Sequence, residues 1–168
     1  RGLGDVYKRQ NLEGEAKEQY RALSKELSLL TLQFGENNLK ETNDYKLVLT
    51  DPAQLAGLPQ SAIDAAAETA KEKGVEGWVF TLQAPSYSPF MTYASNRDLR
   101  CKLYMAYNTK CTHDNETNNL EIVKKLVNTR LAIAQLLGYS SFAEYNLQER
   151  MAENSGNVYK PVSYTHLR

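Results

Sequence analysis

Residues Glu13 to Asn43 contain no proline and carry Tyr20, Leu23, Leu27, Leu30 and Phe34 at alternating spacings of three and four. That pattern is one apolar stripe on one helix. About thirty helical residues span roughly 45 Å, longer than a chain of this size would need for itself. The stretch therefore predicts a long helix that packs against a larger body, with an exposed apolar face along residues 20–34 when that body is missing.

The rest of the chain is shorter in its rhythm. YKLVLT, 45–50, is apolar and β-branched enough for a short strand, and Asp51-Pro52 interrupts it. A helix is expected from about Pro59 through AIDAAAETAKEK to Gly74, with proline in the first turn and glycine as the stop. WVFTL, 78–82, is a second strand candidate. The two strands could pair, in a direction the sequence leaves open. Pro85 and Pro89 are expected to break the chain before a helix from about Asn96 to Lys110, with Leu99, Leu103 and Ala106 on one face. CTHDNETNN reads as a solvated loop. LEIVKKLVNTRLAIAQLL, 120–137, is amphipathic, with Val123, Leu126, Val127, Ile133, Ala134 and Leu137 expected on the inner side and Gly138 as the end. Ser141 and Glu144 form a capping box for a further helix, FAEYNLQERMA. The class is mainly α with one small two-stranded β element.

At 168 residues one domain is the default. A net charge of zero gives no electrostatic case for nucleic acid or an anionic membrane. No apolar run approaches the roughly 18–20 residues of a membrane span. Two cysteines are too few for a disulfide framework, and ten residues along one helix would hold them about 15 Å apart; a reducing compartment is expected. The ends, RGLGDVYKRQ and PVSYTHLR, lack helical periodicity and read as translated adaptor sequence. We therefore expect residues 1–10 and 161–168 to be foreign and 11–160 to be an internal fragment of a longer protein. Setting the ends aside leaves His113 as the remaining histidine and a net charge of −3.

The search for chemistry assigns no catalytic, cofactor-binding or metal-binding residue. A zinc hydrolase needs convergent ligands and a carboxylate for the water proton, as HExxH provides, and one histidine cannot form that pair. Cys111, His113 and Asp114 are three potential ligands in four residues, but neighbours on a short loop rarely converge. Nucleophilic catalysis would have to recruit the same His113. No phosphate-cradling glycine loop is present: Gly74 and Gly77 bracket a turn. Asn115-Glu116-Thr117 fits a glycosylation sequon, a pattern that also arises by chance. The aromatics of residues 77–100 fall at spacings typical of packing: Trp78 and Phe80 alternate, and Phe90 and Tyr93 are three apart. They read as a structural corner, with Tyr87 or Tyr93 as the ones that could reach a ligand surface.

Beyond the residues themselves, the chain resembles a known family. LAGLP with its alanine-rich helix, the KG–EGW turn, PSYSPFMTYASNR and LLGYSSFAEY…MA occur in the order found in the thimet oligopeptidase and peptidyl-dipeptidase family. They cover about Glu15 to Tyr159 and most resemble the bacterial dipeptidyl carboxypeptidase branch, in its N-terminal half. The resemblance implies a fold class, the helical lobe of a zincin-type oligopeptidase. It implies a zinc-dependent peptidase that admits short unfolded peptides to a channel between two lobes. It also implies that the zinc ligands, two HExxH histidines and a later glutamate, lie outside this chain. The fragment would then form a channel wall, pair with the remaining catalytic lobe of its own polypeptide, and be inactive alone. A cytoplasmic location is the family expectation, with the periplasm as the alternative. The competing readings are a non-enzymatic α-helical binding module and an inactive relative that has lost the metal motif.

Overall fold

The computed structural model describes residues 12–165. The expected foreign segment 1–10 lies outside them. Ten elements follow in order: α1 (Gly14–Asp44), β1 (Leu47–Leu49), a 3-10 turn (Pro52–Leu55), α2 (Gln60–Glu72), β2 (Trp78–Phe80), α3 (Ala84–Tyr93), α4 (Arg97–Asn108), α5 (Leu120–Leu136), α6 (Phe142–Leu147) and α7 (Ser155–Thr165). The class is mainly α with one two-stranded sheet. The described residues form two compact units, one from those up to Gln33 together with those from Glu121 onward, the other from Phe34 to Leu120.

The Phe34–Leu120 unit is built on the small sheet. β1 and β2 pair antiparallel, with Leu47 opposite Phe80 and Leu49 opposite Trp78. Helix α2 packs on β2 and α3, and α3 packs on β2 and α4. Their shared core holds Leu49, Leu55, Phe80, Phe90, Leu99 and Leu103 among others. Local chemistry sets the boundaries. Asp51 caps the 3-10 turn through a hydrogen bond from the Ala53 amide, 2.9 Å. Asn96 caps α4 by accepting from Asp98 and Leu99 amides. Gly74 takes φ +66° just beyond α2, letting the Val75 amide reach back to the Ala70 carbonyl at 3.0 Å.

The prolines do not act as expected. Pro85 sits in the first turn of α3, where no amide donor is required, and Pro89 lies within the helix. The helix tolerates Pro89 at the loss of one backbone hydrogen bond, because burial of Phe90 at 0 % exposure holds the segment against the core. The chain bends instead at Ala94–Asn96, where the Ser95 amide donates to the Ala56 carbonyl at 2.8 Å.

In the other unit, α1 buries Tyr20, with Leu23, Leu27 and Leu30 half-buried on the same face. Helix α5 buries Ile122, Leu126, Thr129, Ile133 and Ala134. Val123 and Val127, expected inside, are exposed. Two apolar rows compete on α5, and packing chose the one through Leu126 and Ile133. Gly138, at φ +82°, ends this helix by the same device as Gly74, the Tyr139 amide returning to Ala134. Only half of the expected capping box forms. The Glu144 amide donates to Ser141 Oγ at 3.2 Å, while the Glu144 carboxylate accepts from Ser140. Helix α6 ends at Leu147, short of the expected Ala152: the Gln148 side chain accepts from the Tyr139 hydroxyl, and Glu153 adopts φ +61°. Helix α7 crosses the expected junction at residue 160, although this stretch showed no periodicity.

Candidate functional site

The seam of α1 has a continuation that the apolar pattern conceals. Tyr20, Leu27 and Phe34 recur every seven residues, and the next position is Glu41; Leu23 and Leu30 are followed likewise by Asn37. The helix thus turns a polar edge to the loop 109–119 within the Phe34–Leu120 unit. Asn37 Nδ2 donates to Asn119 Oδ1 at 2.9 Å, and Asn119 Nδ2 donates to the Phe34 carbonyl at 3.1 Å. The Glu41 carboxylate accepts from the Cys111 amide, from Asn115 Nδ2 at 3.2 Å and from Thr117 Oγ1 at 3.1 Å. Cys111 itself has φ +58°, and the Asn119 amide closes the loop onto its carbonyl at 2.8 Å. The stretch expected to be a solvated loop is a latched one, with Cys111, Thr117 and Asn119 buried.

Beside the latch, a cleft of about 290 Å³ is lined by Glu41, Asp44, Tyr45, Leu82, Ala106, Lys110 and His113. Lys110 donates to Thr42 Oγ1 at 3.1 Å and lies 4.4 Å from the Tyr107 ring centre. Tyr107 stacks on Tyr87 with centroids 4.3 Å apart. Burial raises the Tyr87 pKa, and the nearby Tyr107 and Tyr104 hydroxyls push the same way. Tyr93 stands apart and exposed. The remaining aromatics of residues 77–100 are structural: Phe80 and Phe90 meet edge-on at 4.6 Å, and Trp78 packs against the same core.

The loop does not gather a metal site. Cys111 is turned under Glu41, and His113 Nε2 lies 3.3 Å from Thr109 Oγ1 on the surface. Among the described residues, no group of three His, Cys, Asp or Glu side chains could hold a metal ion. The residues described therefore do not fit a zinc centre.

Two measurements probe this region. Burial raises the Glu41 pKa, but the Cys111, Asn115 and Thr117 donors outweigh it and hold the carboxyl below its ordinary value. A carboxyl lowered in the folded state contributes stability above its unfolded pKa, and the contribution is lost as pH falls through the folded value. Glu41→Gln should therefore cost about 1 kcal/mol at pH 7. The gap between variant and parent in urea melts should narrow below the unfolded value of 4.5. A gap unchanged down to pH 2 would show that the charge does not hold the loop.

Burial, reinforced by Glu41, pushes the Cys111 thiol up to about 11. At pH 8 its thiolate fraction would be about 0.1%. An aromatic disulfide reagent should label exposed Cys101 promptly and Cys111 about a hundredfold more slowly, until denaturant opens the loop. Equal labelling rates would refute the latch.

Comparison with known proteins shows what a chain with this fold and polar latch is similar to. The model of peptidase family M3 matches residues 90–166. The resemblance to M3 peptidases extends over most of the chain. Oligopeptidase A of Haemophilus influenzae is 37% identical over 151 residues, covering 88% of this chain and 22% of the relative. The probable cytosolic oligopeptidase A of Arabidopsis thaliana is 36% identical over 148 residues, 84% of this chain and 21% of the relative. Dipeptidyl carboxypeptidase of Escherichia coli is 32% identical over 138 residues, 82% and 20% respectively. The chain thus spans about a fifth of the length of these curated relatives. Among the described residues, no helix is long and apolar enough to cross a membrane.

Proposed function

We propose that this chain is a segment of a zinc-dependent oligopeptidase of the M3 family and that residues 11–160 belong to its non-catalytic helical lobe. The observation that carries the reading is sequence identity of 36–37% to oligopeptidases A over 84–88% of the chain. In the whole protein the substrates would be short peptides, admitted to a channel of which this lobe forms a wall. Zinc would be held by an HExxH pair and a later glutamate outside these residues. The chain's own contribution is shape: the sheet and α2–α4 make a rigid core, and the Glu41 latch fixes the loop 109–119 beside it. Alone it should not hydrolyse peptides. The motif resemblance implies release of dipeptides. The higher identity to oligopeptidase A than to dipeptidyl carboxypeptidase favours oligopeptides as the substrates. A cytoplasmic location goes with this reading.

Extending the coding sequence at its source tests the proposal. The expected result is a continuous frame carrying HExxH and a following glutamate-bearing helix. Its product should cleave short peptides, spare folded proteins, and lose activity to a chelator. A frame that closes without that motif would replace the peptidase with a helical binding module, or with an inactive relative.

A further inference from the structure

The cleft beside the Glu41 latch holds opposite charges that do not neutralise each other. Asp44 and Lys110 both line its volume of about 290 Å³. The Lys110 ammonium donates one of its three N–H groups to Thr42 Oγ1 at 3.1 Å and forms no ion pair with Asp44. Glu41, the other acid of the cleft, has its oxygens occupied by the Cys111 amide, Asn115 and Thr117. Asp44 is exposed, and its carboxylate has no partner among the described residues.

The place of Asp44 in the fold adds to its charge. It is the last residue of the 31-residue helix α1, whose last turn carries no basic side chain. The carbonyls left unpaired at a helix C-terminus attract cations, and the Asp44 carboxylate reinforces them. Leu82, 2% exposed, and Ala106 give the same cleft an apolar wall. The volume is close to the lower end of small-molecule sites, about 300 Å³, which suits one or two amino-acid residues. A lone cation there would meet the Lys110 ammonium, and a lone anion would meet Asp44 and the end of α1. A wholly apolar group would take both charges out of water with no compensation. A zwitterion answers both. We infer that this cleft binds a small aliphatic zwitterion, a free amino acid or a dipeptide, with its ammonium on Asp44, its carboxylate on Lys110 and its side chain against Leu82 and Ala106. None of these residues takes part in the proposed peptide cleavage, so the site stands or falls separately from the M3 reading.

The test is an amide NMR titration of the 168-residue chain with L-leucine, L-alanyl-L-leucine, N-acetyl-leucine and leucinamide. Leucine or alanyl-leucine should give saturating shifts at Asp44, Tyr45, Ala106 and Lys110, with a dissociation constant on the order of 1 mM. The tighter of the two identifies the source as a free amino acid or a dipeptide. N-acetyl-leucine, which lacks the ammonium, and leucinamide, which lacks the carboxylate, should each bind about tenfold more weakly. Asp44→Asn should erase the advantage of leucine over N-acetyl-leucine, and Lys110→Gln its advantage over leucinamide. A merely structural role for either residue would not single out one end of the ligand. Asp44 is exposed, so Asp44→Asn should keep the parent's urea midpoint, and the ligand series reads the charge requirement on the parent chain without any substitution. Equal binding of leucine and both blocked forms would mean that the cleft takes an apolar side chain, and would overturn the inference. So would the absence of saturating shifts from every probe at about 20 mM, or an Asp44→Asn variant that weakens all four probes alike.

Discussion

Phe90→Ala is expected to lower the melting temperature of the Phe34–Leu120 unit by about 15 °C or to unfold it outright. Phe90 is 0 % exposed and meets Phe80 edge-on at 4.6 Å. Removing it loses the transfer energy of the ring and leaves a cavity between α3, β2 and α4 that short, mutually braced elements cannot collapse to fill. Buried Phe→Ala changes cost about 3–5 kcal/mol. Pro89 enlarges the effect: α3 already lacks one internal hydrogen bond there, so its persistence rests on this anchor. Circular dichroism melts and urea titrations read the loss. A shift below about 5 °C would mean that α3 is not held by Phe90.

Gly77→Ala should destabilise the same unit by about 2–4 kcal/mol. Gly77 adopts φ +95°, and a Cβ there would lie 2.1 Å from the Leu49 carbonyl oxygen. Because the obstacle is backbone in the paired strand, relief requires moving β1 away from β2, opposite Trp78 where the register begins. Gly35→Ala is the control. It lies within α1 with open space around its Cα, and should raise stability by about 0.5–1 kcal/mol. Opposite signs for the two substitutions would confirm that close approach, not glycine content, sets the requirement. A neutral Gly77→Ala would refute the strand pairing drawn here.

The elements were legible where a local signal acts alone. The stripe from Tyr20 to Leu30 marks α1, and Gly74 and Gly138 stop α2 and α5 because their left-handed backbone lets the next amide turn back on the helix. Local signals fail where two readings are equally good locally. Pro89 reads as a breaker until Phe90 is seen to be buried. On α5 the Val123–Val127 row is as apolar as the Leu126–Ile133 row. Glu41 was the main miss at the candidate site. Its place seven residues after Phe34 marks it as a seam position, but its three donors lie about seventy residues further on, at Cys111, Asn115 and Thr117.

By itself, then, the order of residues determined the long first helix, the glycine stops, the lack of an HExxH motif and the resemblance to M3 peptidases. Each of these depends on spacing along the chain or on quoted motifs. Only the tertiary structure decided that β1 and β2 run antiparallel, that Pro89 lies within a helix, and that the polar loop is latched by Glu41. Those outcomes depend on which surfaces meet across dozens of residues. The free energy of such a meeting belongs to the pair and is written in neither segment alone.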